Sequence, residues 1–274
     1  MIPVKPISRR TALRHCSVGT LLALGLWPGA MRAAEQASKR PFKFVVINDT
    51  HAVSPADAEY LTKVVADLKR HSPAFCLHAG DLTDKGERPY LEMVRDAFAK
   101  LGAPTYFTVG NHDYESQTDR RSYEAVFPDR LNYRFEAEGW QFIVLDTTDG
   151  LRYDKTAIQA STFAWVNENL PKLDREQPTV LMTHFPLAAG VKMRPLNAEA
   201  LLERFRDFNV QAVFNGHYHG FTEKAWRKAA VTTNRCCSLK RDNHDGTKEK
   251  GYFVCRARDG RIEREFIEFK PDQG

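Results

Sequence analysis

Five short apolar runs in the chain each exit onto Asp, His or Asn. Phe44-Val-Val-Ile47 leads to Asp49-Thr-His51, and Ala74-Phe-Cys-Leu-His78 leads to Gly80-Asp81. Thr105-Tyr-Phe-Thr-Val109 leads to Gly110-Asn111-His112-Asp113. Thr179-Val-Leu-Met182 leads to His184, and Val210-Gln-Ala-Val-Phe214 leads to Gly216-His217-Tyr-His219. Short apolar runs bounded by turn formers read as buried strands. Open α/β folds place their chemistry at the C-terminal ends of such strands. Any single exit is also an ordinary turn, because Asn, Asp and Gly favour turns for reasons of their own. Together the five predict a sheet architecture that gathers these side chains at one edge.

Between the runs the pattern changes to helical spacing. Ser54-Pro55 is a cap followed by proline, and Leu61, Val64, Val65 and Leu68 then repeat along one helix face. Leu91, Val94, Phe98 and Leu101 do the same. Strand, loop, helix, strand is the alternation that builds parallel sheets. After the Gly110 exit, Leu131 to Phe135 and Trp140 to Leu145 read as a hairpin. Helices follow around Ile158 to Leu170 and Ala198 to Phe208. The remainder is strand-rich: Ala229 to Thr233, Gly251 to Ala257 and Ile262 to Phe269, the last two joined by an Asp259-Gly260 turn. Two mixed sheets with helices outside, an αββα sandwich of four layers, fit this order.

The chemistry at the exits is that of metal ligands. Carboxylate and imidazole suit Mn, Fe or Zn ions, and a shared carboxylate can bridge two ions about 3.5–4 Å apart. No thiolate joins the set, which argues against a structural zinc site. No Gly-rich phosphate loop and no Ser or Cys nucleophile motif is present.

The order Asp-x-His, Gly-Asp, Gly-Asn-His-Asp, His, Gly-His-x-His resembles the calcineurin-like metallophosphoesterase superfamily, in its cyclic-nucleotide phosphodiesterase and glycerophosphodiesterase-like branch. The resemblance runs from about Phe42 to Phe269. It implies the same α/β sandwich and a dinuclear phosphoesterase acting on a small-molecule phosphodiester, with a phosphomonoester as the alternative. It also implies the roles of the residues. Asp49, His51 and His219 would bind one metal, Asn111, His184 and His217 the other, and Asp81 both. A hydroxide bridging the metals would attack phosphorus while His112 faces the leaving group or a phosphoryl oxygen. Some members of the superfamily are catalytically silent; the complete ligand set and the intact His112 argue against that here.

Other polar residues carry rival readings. Asp113 either orients His112 or caps the turn. Arg241-Asp-Asn-His244-Asp-Gly246 lacks a preceding apolar strand and reads as a loop, from which His244 could still touch a substrate phosphate alongside Asn111 and His112. His71 reads as a helix cap, and His78 as a core residue or as a donor behind Asp81.

Charge and cysteines bound the remaining possibilities. The formal charge is +5, but residues 1–34 hold Lys5, Arg9, Arg10, Arg14 and Arg32 and no acidic residue. Without them 35 basic residues face 35 acidic ones, which gives no support to nucleic-acid binding. Ser8-Arg9-Arg10 and the apolar stretch Val18 to Trp27 resemble a twin-arginine export signal. That stretch is short of the roughly 20 residues a membrane span needs. The expected layout is a signal over 1–34, a linker over 35–41 and one metallophosphoesterase domain over 42–270. The signal would engage the twin-arginine translocase and deliver a periplasmic or secreted protein, away from the cytoplasmic pool of cyclic nucleotides. Of the cysteines beyond Cys16, Cys76 reads as a buried thiol. A bridge from Cys236 or Cys237 to Cys255 is permitted by their number.

Overall fold

Eleven strands form two sheets in the computed structural model, which describes residues 40–271. The leader, with Arg9, Arg10 and Cys16, lies outside the described residues. In chain order come β1 (Phe42–Ile47), α1 (Pro55–Arg70), β2 (Cys76–His78), α2 (Arg88–Ala99), β3 (Thr105–Phe107) and a 3₁₀ turn (Asn111–Asp113). Then follow α3 (Arg121–Val126), β4 (Tyr133–Ala137), β5 (Trp140–Leu145), α4 (Ala160–Asn169), β6 (Thr179–Thr183), α5 (Ala198–Arg204) and β7 (Val210–Asn215). The last strands are β8 (Thr222–Trp226), β9 (Ala229–Thr233), β10 (Gly251–Arg258) and β11 (Arg261–Glu268). One sheet has the order β11-β10-β1-β2-β3 and the other β4-β5-β6-β7-β9-β8. The motif-bearing strands pair in parallel within each sheet, with antiparallel strands at the flanks.

Alternation along each strand builds the layers. On β1, Phe44 and Val46 enter the core between the sheets, while Val45 and Ile47 face α1 and α2. On β5, Phe142 and Val144 face inward and Ile143 and Leu145 face α4 and α5. Strands covered on both faces read as continuous apolar runs, which is why these stood out. The layers are helices, sheet, sheet, helices, as expected from the sequence.

Residues 48–52 and 79–84 run side by side beyond the strand ends: Asp49 N donates to Gly80 O (3.0 Å) and His51 N to Asp81 O (3.1 Å). In the second sheet Gly216 N donates to His184 O (2.9 Å), and between the sheets His217 N donates to Asp49 Oδ1 (3.1 Å). These bonds fix the exits of both sheets to one another.

The permitted disulfide does not form. Cys76, Cys236, Cys237 and Cys255 are all buried free thiols. Cys255 packs between the sheets and Cys237 on the helix side of the first sheet, so the sheet itself separates them. Cys236 turns toward Lys250 Nζ (3.1 Å) instead. No helix among the described residues is long and apolar enough to cross a membrane.

Candidate metal centre

The five exits converge. Asp49, His51, Asp81 and His219 form one group of potential metal ligands, and Asp81, His184 and His217 form a second. Asn111 Oδ1 lies 3.3 Å from His184 Nε2 and so joins the second. Asp81 belongs to both, with Oδ2 3.6 Å from His51 Nε2 and Oδ1 3.2 Å from His184 Nε2. All seven residues are buried.

Local backbone shape aims them. Asp49, His51, Asp81, His217 and His219 all have positive φ, between 46° and 66°. Asp and His are among the few residue types enriched in that region. The neighbouring glycines serve close approach: a Cβ on Gly110 would lie 2.1 Å from Asp81 Oδ1, and one on Gly80 2.6 Å from His184 Nδ1.

The outer nitrogens of His184, His219 and His217 each face a backbone carbonyl, which leaves the inner nitrogen toward the centre. His184 Nδ1 donates to Ala79 O (2.8 Å), His219 Nδ1 to Asp242 O (3.2 Å) and His217 Nε2 to Tyr153 O (2.7 Å). His51 Nδ1 lies 3.2 Å from Asp84 Oδ1. Carbonyl oxygens only accept, so these contacts select the tautomer. His51 Nε2 and His219 Nε2 consequently face each other at 3.0 Å. Two lone pairs at that separation repel unless a proton or a metal ion lies against them. This is the arrangement a metal ion fits.

The electrostatics act in the same direction. Burial opposes charge on His184, yet the carboxylates of Asp81 and Asp49 hold it up at about 9. His219 is likewise held above the usual range by Asp49, against the effect of burial. His217, which has no comparable carboxylate contact, is pushed down to about 3 by burial and by His184. The two buried carboxylates thus make positive charge favourable at the centre.

His112 belongs to neither group and instead forms a third cluster of potential ligands with His51 and Asp84. Its Nδ1 donates to Asp84 O (3.0 Å), its backbone N–H to Asp81 Oδ1 (2.9 Å), and its ring meets His51 edge-on at 4.9 Å. Nε2 is therefore left toward the open side. Of the two readings of Asp113, the structure supports the cap: Oδ1 accepts from Thr83 N and Oδ2 from Gly110 N, both at 2.9 Å. The group that orients His112 is the backbone carbonyl of Asp84, whose carboxylate also lies against His51, roles the sequence reading missed. Its spacing of three from Asp81 was visible; the carbonyls of Tyr153 and Asp242 carried no sequence signal at all. His244 does reach the centre, its ring stacked on His219 at 4.8 Å. His71 caps α1 and bonds Tyr252 OH (2.9 Å). His78 is a core residue against Phe98 and Phe107, with Nε2 3.2 Å from Thr50 Oγ1.

The profile of the calcineurin-like phosphoesterase family matches residues 42–221. The chain belongs to that family. Among its relatives, a probable cyclic nucleotide phosphodiesterase from Synechococcus is 28% identical over 165 residues, spanning 57% of this chain and 62% of that protein. Another protein described in the same words, from Rhodopseudomonas palustris, is 27% identical over 208 residues, spanning 68% and 74%. The chain thus matches less than two thirds of the first relative's length. A solved dimetal phosphatase from Danio rerio shares the fold with a TM-score of 0.59 at 16% identity, covering 84% of this chain and 99% of that one. The family match ends at Phe221, so the family profile leaves His244 and its loop outside.

Proposed function

We propose that this phosphoesterase-family chain is a dinuclear metal-dependent phosphoesterase that favours phosphodiesters. The observation that carries the reading is the convergence of inner histidine nitrogens on two buried carboxylates. Asp49, His51 and His219 would hold one ion, and Asn111, His184 and His217 the other, with Asp81 touching both. The N and O donors without thiolate suit Mn, Fe or Zn. Bound there, two such ions supply Lewis acidity toward a phosphoryl group and activate water at neutral pH.

The chain's own residues do the rest. Asp84 fixes His112 through Nδ1, so that Nε2 can give a proton to the departing oxygen. Asn111 and His244 would meet the phosphoryl oxygens, a reading supported by the contact of Asn111 with His184 and of His244 with His219. Arg241, a cation beside His244, is already paired with Asp84. A monoanionic diester suits that charge better than a dianionic monoester, and two relatives bear the phosphodiesterase description.

The test is turnover of bis(p-nitrophenyl) phosphate against p-nitrophenyl phosphate by the metal-loaded protein. A higher kcat/KM for the diester is expected. The reverse ratio would make the enzyme a phosphomonoesterase, and two bound metals with no turnover of either would make it a silent binding module.

The leader is the second part of the proposal: a twin-arginine signal that takes the folded protein to the periplasm through the translocase. Paired Arg9 and Arg10 before a short apolar stretch support it. Replacing both by Lys is expected to retain the folded protein in the cytoplasm, read by cell fractionation. Unchanged delivery would remove the export reading.

A further inference from the structure

The segment between β9 and β10, residues 234–250, has no helix or strand yet is tied down throughout. Ser238 Oγ accepts from Arg241 N (3.1 Å). Asn243 accepts from Cys236 N (3.0 Å) and donates to Glu249 O (2.8 Å). Asp245 accepts from Phe221 N (3.0 Å), and Lys250 Nζ donates to Arg241 O. A loop with so many internal bonds can act as a rigid part.

From this loop two groups reach the centre side by side. Asp242 O accepts from His219 Nδ1 (3.2 Å). The Arg241 guanidinium binds Asp84 Oδ1 through Nε (2.9 Å) and Nη2. Asp84 in turn lies 3.2 Å from His51 Nδ1. Both histidines of the first group are therefore backed by neighbouring residues of one loop, His219 by a direct hydrogen bond and His51 by the close contact of its Nδ1 with the Asp84 carboxylate that Arg241 holds. The second group is backed elsewhere, His184 by Ala79 O at the end of β2 and His217 by Tyr153 O.

We infer that Arg241 is a positioning residue that tightens the first metal site alone. The inference rests on the ligand assignment proposed above. Without the guanidinium, Asp84 loses its two fixed donors and can swing away from His51. The imidazole then loses its anchor while the second site keeps both of its own. Groups behind a ligand typically change metal affinity by about 10–100-fold.

The experiment isolates each site in the full chain. His184→Ala disables the second site. His219→Asn disables the first, because the amide ends near the position of Nδ1, short of the metal, and Asn tolerates positive φ. Zn²⁺ affinity is measured by chelator competition in both backgrounds, with Arg241, Arg241→Ala and Arg241→Lys. The expected result is a loss of about 10–100-fold for Arg241→Ala in the His184→Ala background, and no change in the His219→Asn background. Arg241→Lys, which keeps the charge and loses the fork, should fall between; it serves alone if the alanine variant does not fold. Equal weakening in both backgrounds, or none in the first, overturns the inference while leaving the ligand assignment standing. No Zn²⁺ in either background overturns both.

Discussion

Asp81→Asn is expected to strip metal from both halves of the centre and to lower kcat/KM by about 10³-fold or more. Asp81 is the residue shared by the two ligand groups. Its Oδ1 lies 3.2 Å from His184 Nε2 and also accepts the backbone N–H of His112 (2.9 Å), while Oδ2 faces His51. An amide of the same shape keeps one oxygen and presents an NH₂ on the other side. Either the His112 N–H or the His51 side then meets a donor where it had an acceptor. The negative charge that favours cations is lost as well. His51→Asn, by contrast, touches one group and should leave the other occupied. Elemental analysis of the two purified variants decides it. Two metals retained in Asp81→Asn would contradict a shared carboxylate.

His112→Gln is expected to keep both metals and lose rate according to the leaving group. His112 Nδ1 is held by Asp84 O, so proton delivery falls to Nε2, and the side chain is 30% exposed at the open side. An alkoxide departs poorly without a proton, so removing the acid should cost on the order of 10²–10⁴-fold on an alkyl ester. A nitrophenolate leaves as a stable anion and should lose much less. If His112 instead stabilises charge on the phosphoryl oxygens, both esters slow by a similar factor. Measuring kcat/KM on an alkyl and a nitrophenyl ester of the same phosphate separates the roles. Equal losses would remove the acid role, and missing metal would make His112 a ligand.

Much of the architecture was legible because buried strands must be apolar on both faces. That condition marked β1, β2, β6 and β7, and the apolar run through the edge strand β3 marked the exit to Asn111, so every residue of the two ligand groups was in view. Strand β8 was not legible. Its Thr222-Glu-Lys-Ala-Trp226 lies at a sheet edge with most side chains in solvent, so no apolar pattern forms. Helix α3 has only 6 residues and gives no helical period to detect. The residues that orient the site escaped for a different reason. Asp84, Tyr153 and Asp242 act through contacts between segments far apart in the chain, and all three use backbone carbonyls that every residue possesses, Asp84 toward His112. The cysteines teach the same point, since their number permitted a bridge that only the two faces of a sheet rule out.

The left-handed backbone at Asp49, His51, Asp81, His217 and His219 also limits how this site can change. At each of these positions a β-branched or bulky residue would meet a steric barrier before its metal chemistry mattered. The workable alphabet shrinks to Asn, Asp, His and Gly. A random library across the loops would thus be dominated by variants that fail in the backbone. Exchanges among those four types would let metal preference drift while the loops keep their shape. A directed-evolution search for a new metal should therefore hold to that small alphabet at these five positions and spread its diversity over the surrounding loops.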